Sequence, residues 1–298
     1  MNTTVTNIDI HHHMLPDVYV EAMNNNGHIG NDLPAWTPEN SLNMMDAMGI
    51  EKAILSVPSP AASDGELAHA INLYASQIKA SHPGRFGAFA TIPFPDVHAS
   101  VLEITHALND LALDGVVLFS NAGGAYLGDP EYDAILAELN NRRAMVLVHA
   151  SDRPGIEDHD GANPFMEYPT DVSRAYARLV YSHAFERFRD IRWVFAGAGG
   201  VVPFLAERIG KLHYTNGKKL RWGRIIVDMV TKRNSGLDLA KSVSYDTADI
   251  GPRFTLFGLS HLVDCEQIRF GSNFPFSDET TIGRLIEAQT ELNATAVR

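Results

Sequence analysis

Short apolar runs rich in β-forming residues alternate with longer segments of helical periodicity along the 298-residue chain. This alternation predicts an α/β fold, because each helix can return the chain to the start of the next parallel strand. The runs predicted to be strands are residues 5–10, 52–57, 86–92, 115–119, 145–149, 192–196, 242–245 and 267–270. The segments predicted to be helices are residues 38–48, 65–81, 97–111, 130–142, 170–187, 201–211, 252–262 and 278–292. Eight strand–helix pairs favour a (β/α)8 TIM barrel, with a doubly wound sheet as the structural alternative.

The chain carries no sign of an internal boundary. No linker-like or low-complexity segment divides it, so we expect one barrel domain over residues 1–298. Two long segments interrupt the pattern after the first and fifth strands, at residues 14–36 and 151–169. We predict that both are loops at the C-terminal face of the barrel, where enzymes of this fold carry their active sites.

The composition excludes several classes of partner. The formal net charge is −12 and no run of Lys or Arg marks a basic face, so we expect no nucleic-acid or membrane partner. The sequence has no secretory signal pattern and no apolar stretch of about 18 residues. With Cys265 as its single cysteine, the chain forms no internal disulfide, which suits a reducing compartment. We therefore expect a soluble cytoplasmic protein.

Three consecutive histidines, His11 to His13, lie at the end of the first apolar run. Side chains two residues apart point to the same side of a strand, so Asp9, His11 and His13 are predicted to share one face and His12 to face away. Two adjacent imidazoles can hold a divalent metal ion, with a carboxylate as an outer partner. A purification tag is the alternative, but tags sit in polar sequence and this tract follows an apolar run. Two nitrogens bind a metal weakly, so further ligands are required.

The ends of later strands supply further candidates. His149 ends the fifth strand, Asp246 ends the seventh, and Asn273 follows the eighth. In a barrel, His11, His13 and His149 are predicted to converge on one pocket, where three neutral imidazoles suit Zn²⁺ or a similar ion. Structural roles remain the alternatives: a core histidine at His149, a helix cap at Asp246 and a turn at Asn273.

Together these motifs resemble the amidohydrolase superfamily and, within it, a decarboxylase branch. That branch includes aminocarboxymuconate-semialdehyde decarboxylase, γ-resorcylate decarboxylase and 6-methylsalicylate decarboxylase, and the last group is the most similar. The resemblance covers nearly the whole chain. It is carried by Asp9-Ile10-His11-His12-His13 with Pro16, the segment 41–58, Tyr126-Leu127-Gly128-Asp129-Pro130, Val148-His149, Tyr168-Pro169-Thr170-Asp171, Tyr245-Asp246-Thr247 and Gly271-Ser272-Asn273-Phe274-Pro275.

The resemblance implies a (β/α)8 barrel with one metal ion, commonly Zn²⁺, and Mn²⁺ is another divalent candidate. The implied ligands are His11, His13 and His149, together with an aspartate after the eighth strand. That last position holds Asn273 in this chain. A catalytic histidine expected after the sixth strand is replaced by Gly197. Two groups expected to organise or move protons are therefore missing.

These two departures bear directly on the chemistry. Decarboxylation of an aromatic acid needs a cation beside the substrate and an acid that protonates the ring carbon. Asn273 offers a neutral carbonyl oxygen, as a weak fourth ligand or a substrate contact, but carries no proton at neutral pH. Asp246, His159 or a metal-bound water could take over the proton transfer, and Asp246 is the predicted acid–base residue. A rearranged proton path, a weakly active binding homologue and deliberate substitution are the competing explanations.

The predicted function is a metal-dependent decarboxylase, a carbon–carbon lyase acting on a small aromatic or unsaturated carboxylic acid. Hydrolysis of an amide, lactone or carbon–carbon bond, which the wider superfamily supports, is the first alternative. A non-catalytic binder is the second. Trp36, Phe165 and Phe274 are predicted to wall the substrate ring. Because relatives usually form dimers, we also expect a homodimer.

Overall fold

The computed structural model describes residues 8–25, 33–60, 64–152, 163–216, 219–220, 222–231 and 235–296. Eight strands lie side by side in chain order: β1 Ile8–His13, β2 Lys52–Ser56, β3 Phe86–Ala90, β4 Gly115–Phe119, β5 Met145–His149, β6 Arg192–Phe195, β7 Ser244–Asp246 and β8 Ile268–Arg269. Each of them runs parallel to the next. Ile10 N–H donates to Phe270 O over 2.9 Å and so closes the sheet between its first and last strands. The predicted (β/α)8 barrel is confirmed.

Helices surround this cylinder of strands. They are α1 Asp17–Asn25, α2 Pro38–Met48, α3 Gly65–Ser81, α4 Val97–Asn109, α5 Asp133–Asn141, α6 Asn163–Tyr181, α7 Ala184–Arg187, α8 Val202–Gly210, α9 Trp222–Thr231, α10 Ser235–Ala240, α11 Pro252–Ser260 and α12 Glu279–Ala296. Local sequence fixes several of their starts: Thr37 caps α2 by accepting from Asn40 N–H over 3.1 Å. None of the described helices combines the length and the apolar character needed to cross a bilayer.

Alternating side chains of the strands fill the barrel. Ile10, Phe89, Val117, Leu147 and Val194 belong to one buried apolar cluster. These residues come from neighbouring strands, as the interior of a small barrel requires. A second, larger apolar core packs the outer faces of the strands against the helices. The polar side chains at the carboxyl ends of the strands therefore lie above a closed apolar floor.

The boundary of β1 differs from its prediction. The apolar run predicted to be a strand ends at residue 10, and β1 continues to His13, as the prediction for the faces of His11 and His13 assumed. Contacts with distant segments extend it: His13 N–H donates to Phe274 O over 2.7 Å, and Met14 N–H donates to Ser56 O over 2.9 Å. Histidines carry no strong β-propensity, so these pairings and not local preference hold the last three residues in the strand.

The two long segments predicted to be loops contain helices. α1 lies within residues 14–36, and α6 begins within residues 151–169. The helices α9 and α10, between the sixth and seventh strands, were also not predicted. α1 buries only Tyr19 and Met23, too few apolar positions to reveal a helical period. His159 lies outside the described residues.

Candidate active site

A β-bulge in β1 determines which face of the strand its histidines occupy. Asp9 pairs with Ala53 of β2 and His12 pairs with Leu55, so three steps along β1 match two along β2. The extra residue lets both Ile10 and His11 face the barrel interior, while Asp9 and His12 face outward. The prediction that Asp9 shares a face with His11 and His13 is therefore wrong, because simple alternation holds only for an unbulged strand.

The structure brings three predicted imidazoles together. His11, His13 and His149 are all buried, and each offers a ring nitrogen within 4.8 Å of those of the other two. The Nε2 atoms of His11 and His13 are 3.1 Å apart. The ring centroid of His149 lies 5.0 Å from that of His11 and 5.2 Å from that of His13. This is the one group of metal-ligating side chains found among the described residues.

The second nitrogen of each ring is held by an oxygen acceptor. His11 Nδ1 donates to Asp246 Oδ2 over 2.7 Å, His149 Nδ1 donates to Ala150 O over 2.7 Å, and His13 Nδ1 lies 3.3 Å from Ser56 O. These partners place the protons on Nδ1 and direct the three Nε2 lone pairs to a common centre.

The separation of these nitrogens fits a divalent ion. Two nitrogens bound to one tetrahedral ion at about 2.0–2.1 Å lie about 3.3 Å apart. The observed 3.1 Å between His11 and His13 Nε2 is close to that value. Two lone pairs facing each other at this distance repel unless a proton or a cation lies between them. The three imidazoles are therefore a suitable donor set for such an ion.

Burial controls the charge of these imidazoles. Burial, together with neighbouring His11, lowers the pKa of His149 to about 4. Burial also holds the pKa of His13 well below its usual range, with His11 and His149 acting in the same direction. For His11 burial opposes protonation, but the charge and hydrogen bond of Asp246 leave its pKa above the ordinary value. His13 and His149 are thus neutral near pH 7, as metal ligands must be.

Asp246 binds the His11 ring on the side away from the other two imidazoles. Its side chain is completely buried, and Oδ1 accepts from Gly197 N–H over 2.9 Å and from Ala248 N–H over 3.0 Å. Oδ2 accepts from His11. Both oxygens are occupied, and Asp246 is not among the described residues that line the cavity. This placement favours a positioning role for Asp246 over the predicted acid–base role.

A second buried network lies on the outer side of β1. His12 donates from Nδ1 to Asp9 Oδ2 over 2.9 Å, and its Nε2 accepts from Ser41 Oγ over 2.8 Å. Ser41 Oγ in turn accepts from Trp36 Nε1 over 2.9 Å. Asp9 Oδ1 also accepts from Ser272 N–H over 3.0 Å. The order Ser-His-Asp resembles a hydrolase triad, but Ser41 is completely buried and the network joins α2, β1 and the segment after β8.

This placement gives a prediction for stability. Ser41→Ala leaves the indole N–H of Trp36 and Nε2 of His12 without their partner, so we expect a loss of about 1–3 kcal/mol in the free energy of unfolding. Ser100 is the matched control, because it is equally buried and its hydroxyl has no hydrogen-bond partner in the described part of the chain. Urea unfolding of both variants measures the difference. Equal stability of the two variants would contradict this role for Ser41.

A cavity of about 370 Å³ opens above the three imidazoles. Its walls are largely apolar and include Ala150, Pro169, Val172, Ala196 and Phe276. Ser59, Tyr168, Asp249 and Asn273 supply polar groups, and the described lining residues include no Lys or Arg. A cavity of this size and character suits a small, mainly apolar molecule with a few polar substituents.

The predicted aromatic wall is only partly at the cavity. Phe165 lines it and is 74% exposed at the mouth. Trp36 and Phe274 are not among the described lining residues. Trp36 is 8% exposed and bound to Ser41, and the Phe274 ring lies 5.0 Å from His12 on the outer side. Phe276, which sequence reasoning missed, lines the cavity instead, with its ring centroid 5.4 Å from His13.

Asn273 lies at the edge of the imidazole cluster. Its backbone N–H donates to His11 O over 2.9 Å, and its side chain lines the cavity. The residue has φ 57°, in the left-handed region that asparagine tolerates better than most residues. This tight turn after β8 carries the amide beside the histidines, where its oxygen can contact an ion or a substrate.

Asp249 is a cavity residue that sequence reasoning missed. It follows β7 in Asp246-Thr247-Ala248-Asp249 and is the one carboxyl group among the described lining residues. Partial burial of this carboxyl raises its pKa, although His11 opposes the shift. Its position three residues beyond a strand end was the available signal.

Gly197 leaves open space next to this carboxyl. The residue lines the same cavity, and a Cβ added to it would meet no neighbour closer than Ala248 O at 3.7 Å. Gly197 N–H and Ala248 N–H both donate to Asp246 Oδ1. The segments that follow β6 and β7 are thus both bound to the Asp246 carboxylate. Asp249 is the next residue after Ala248.

Comparison with known proteins identifies the family. Residues 8–289 match the family described as Amidohydrolase. Decarboxylase yanB of Aspergillus niger is 32% identical over 94% of this chain and 80% of its own length. The 6-methylsalicylic acid decarboxylase acuB of Aspergillus aculeatus is 31% identical over 93% of this chain and 86% of its own. A solved dihydroxybenzoic acid decarboxylase from Polaromonas sp. JS666, with bound manganese and the inhibitor 2-nitroresorcinol, has a TM-score of 0.73 at 17% identity and covers 96% of this chain and 93% of its own. The chain belongs to the amidohydrolase family, in its decarboxylase branch.

Proposed function

We propose that this protein is a metal-dependent carboxy-lyase that releases CO₂ from a small aromatic carboxylic acid. The observation that carries the proposal is the set of three Nε2 lone pairs, from His11, His13 and His149, at the floor of an apolar cavity of about 370 Å³. Relatives at 31% and 32% identity are decarboxylases, and one of them is named for 6-methylsalicylic acid. A substituted benzoate is of the right size and polarity for such a cavity.

His11, His13 and His149 would hold the ion, with Zn²⁺ and Mn²⁺ as the candidates. When bound, a divalent ion supplies the positive charge that orients a carboxylate or a neighbouring phenolate oxygen. Asp246 keeps the His11 ring in place through its 2.7 Å hydrogen bond. Asn273 contributes an amide at the edge of the cluster, as a weak ligand or a substrate contact.

The chain's other groups bind and enclose the acid. Since the described lining residues include no Lys or Arg, an anionic substrate finds its counter-charge at the imidazole cluster and not on the walls. Transfer of a carboxylate into an apolar cavity without a partner is strongly unfavourable, so this arrangement fixes where the carboxylate binds. Val172 and Phe276 then contact the ring, and Phe165 lies at the mouth.

The test is product analysis with purified protein loaded with Zn²⁺ or Mn²⁺. We expect CO₂ release from at least one member of a panel of hydroxybenzoates that includes 6-methylsalicylate and 2,6-dihydroxybenzoate. Apoprotein prepared with a chelator is the control and should release none. Hydrolysis would instead place oxygen from labelled water in the product. Protein that retains its ion but releases no CO₂ from any of these acids would contradict the proposal.

A further inference from the structure

Removal of CO₂ from an aromatic ring requires a proton for the carbon that loses it, and the described cavity contains few groups able to give one. The three imidazoles hold their protons on Nδ1 and turn Nε2 to the common centre. The Asn273 amide has no acidic proton. The Tyr168 hydroxyl lies 3.1 Å from Asp152 Oδ1, which accepts its hydrogen bond.

Asp249 differs from these groups in three respects. It is the one carboxyl group among the described lining residues. It makes no hydrogen bond to other described residues, so its oxygens are free to take and to give a proton. It is also an exposed residue, so water can restore a proton after each turnover.

The backbone around Asp249 is held firmly. The Asp246 carboxylate accepts from the N–H of Ala248, the residue immediately before Asp249, and the same carboxylate positions His11. Asp249 itself has φ 54°, a left-handed conformation that aspartate tolerates. The acid and the metal-ligating imidazole are therefore fixed by one buried anchor, and the open space at Gly197 gives a substrate ring room beside them.

We propose that Asp249 is the proton donor of the decarboxylation, an inference that rests on the function proposed above. Its O–H gives a proton to the ring carbon that bears the carboxylate, and a π pair of the ring forms the new C–H bond. The C–C bond to the carboxylate then breaks, its electron pair returns to the ring, and CO₂ leaves. Asp249 is left as a carboxylate and regains a proton from water. The sum is ArCOO⁻ + H⁺ → ArH + CO₂, with no oxidant or reductant.

A carboxyl group at the cavity wall can both donate and accept a proton. Asn273, close to the same cluster, has no such capacity. The acid that the eighth-strand position lacks is thus supplied by Asp249, three residues after the seventh strand.

The experiment compares Asp249→Asn with Asp249→Glu in the metal-loaded protein, using an acid that the wild type decarboxylates. We expect the asparagine variant to lose about 10²–10⁴-fold in kcat, and the glutamate variant to retain more activity. Metal content and the affinity for 2-nitroresorcinol should stay within about twofold of wild type in both. Asp190→Asn is the matched control, because Asp190 is an exposed carboxyl just before β6, at the opposite end of the barrel.

A second readout does not depend on CO₂ release. A donor that protonates the ring carbon also exchanges the ring hydrogen of the decarboxylated product with solvent. In D₂O, wild-type protein should therefore wash deuterium into that one position of the product, and Asp249→Asn should not. Mass spectrometry and proton NMR of the recovered product measure the exchange.

The outcomes separate the inference from the proposed function. If wild-type protein releases no CO₂ from any acid, the proposed function fails and this inference with it. If the wild type is active and Asp249→Asn keeps the same kcat and exchange rate, only the assignment to Asp249 is overturned. Loss of activity together with loss of metal or inhibitor binding overturns it as well. His159→Gln is made in parallel, and a kcat loss in that variant alone assigns the proton to His159 instead.

Discussion

Replacement of His149 by alanine is expected to remove both the bound metal and the CO₂-releasing activity. The loss of an outer partner of a ligand already lowers metal affinity by about 10–100-fold, so loss of one of three direct ligands should cost more than about 100-fold. Activity should fall at least in proportion, because the described cavity lining offers no other cation to an acid. Metal content after dialysis, measured by mass spectrometry, and CO₂ release are the two measurements.

Two controls make this result specific to the ligand. His261→Ala removes an exposed histidine on the outer surface and should change neither quantity. Because His149 lines the cavity, its removal leaves a space open to solutes, and added imidazole should restore part of the metal binding in His149→Ala. Unchanged metal content in His149→Ala would remove His149 from the centre. Failure of imidazole rescue together with a lower unfolding temperature would point to a structural role instead.

Elements that depend on local pattern were predictable from the sequence. The bounds of β4 and β5 were predicted to the residue, because each is an apolar run with a charged or turn-forming residue within two positions of both ends. The helices α2 and α3 were equally clear, since Thr37 and Asp64 cap them in the usual way. Convergence of His11, His13 and His149 then follows from the topology of a barrel.

The features of the site that could not be predicted from the sequence depend on pairing between distant segments. The bulge in β1 arises from its register with β2. Because of it, the Asp9 carboxylate binds the ring of His12 and not the rings of His11 and His13. The hydrogen bond between His11 and Asp246 joins residues that are 235 positions apart in the chain. Phe276 replaces Phe274 at the cavity because the turn after β8 does not follow the alternation of a strand. Each of these features places a side chain of the site, so the ligands were predictable and their surroundings were not.

The wall of the cavity depends on a close approach between α6 and the end of β6, and Gly200 permits it. A Cβ at Gly200 would lie 1.9 Å from Pro169 O and 2.7 Å from Ser173 Oγ, both on α6. The residue has φ 64° and ψ −115°, which side-chain-bearing residues rarely adopt. Ser173 Oγ also accepts from Val201 N–H over 2.9 Å, so the two segments are hydrogen-bonded at this point.

Gly200→Ala is therefore expected to lower the free energy of unfolding by about 3 kcal/mol or more, from overpacking of about 1–3 kcal/mol and backbone strain of similar size. Gly84→Ala is the matched control, because Gly84 has φ 83° but nothing within 4 Å of an added Cβ, so it should lose only about 1–2 kcal/mol. Denaturant unfolding measures both. Equal losses in the two variants would mean that the contact with α6 contributes nothing.

The same substitution connects packing to binding. Tyr168, Pro169 and Val172 lie on α6 and line the cavity, so an alanine that forces Pro169 away from Gly200 also moves this wall. Folded Gly200→Ala should consequently bind 2-nitroresorcinol more weakly than wild type while its metal content is unchanged, because His11, His13 and His149 lie on β1 and β5 and not on α6 itself. Calorimetric titration of the metal-loaded variants checks this, with Gly84→Ala expected to bind as wild type does. Weakened binding in both variants, or in neither, would show that the contact between Gly200 and α6 does not determine the shape of the site.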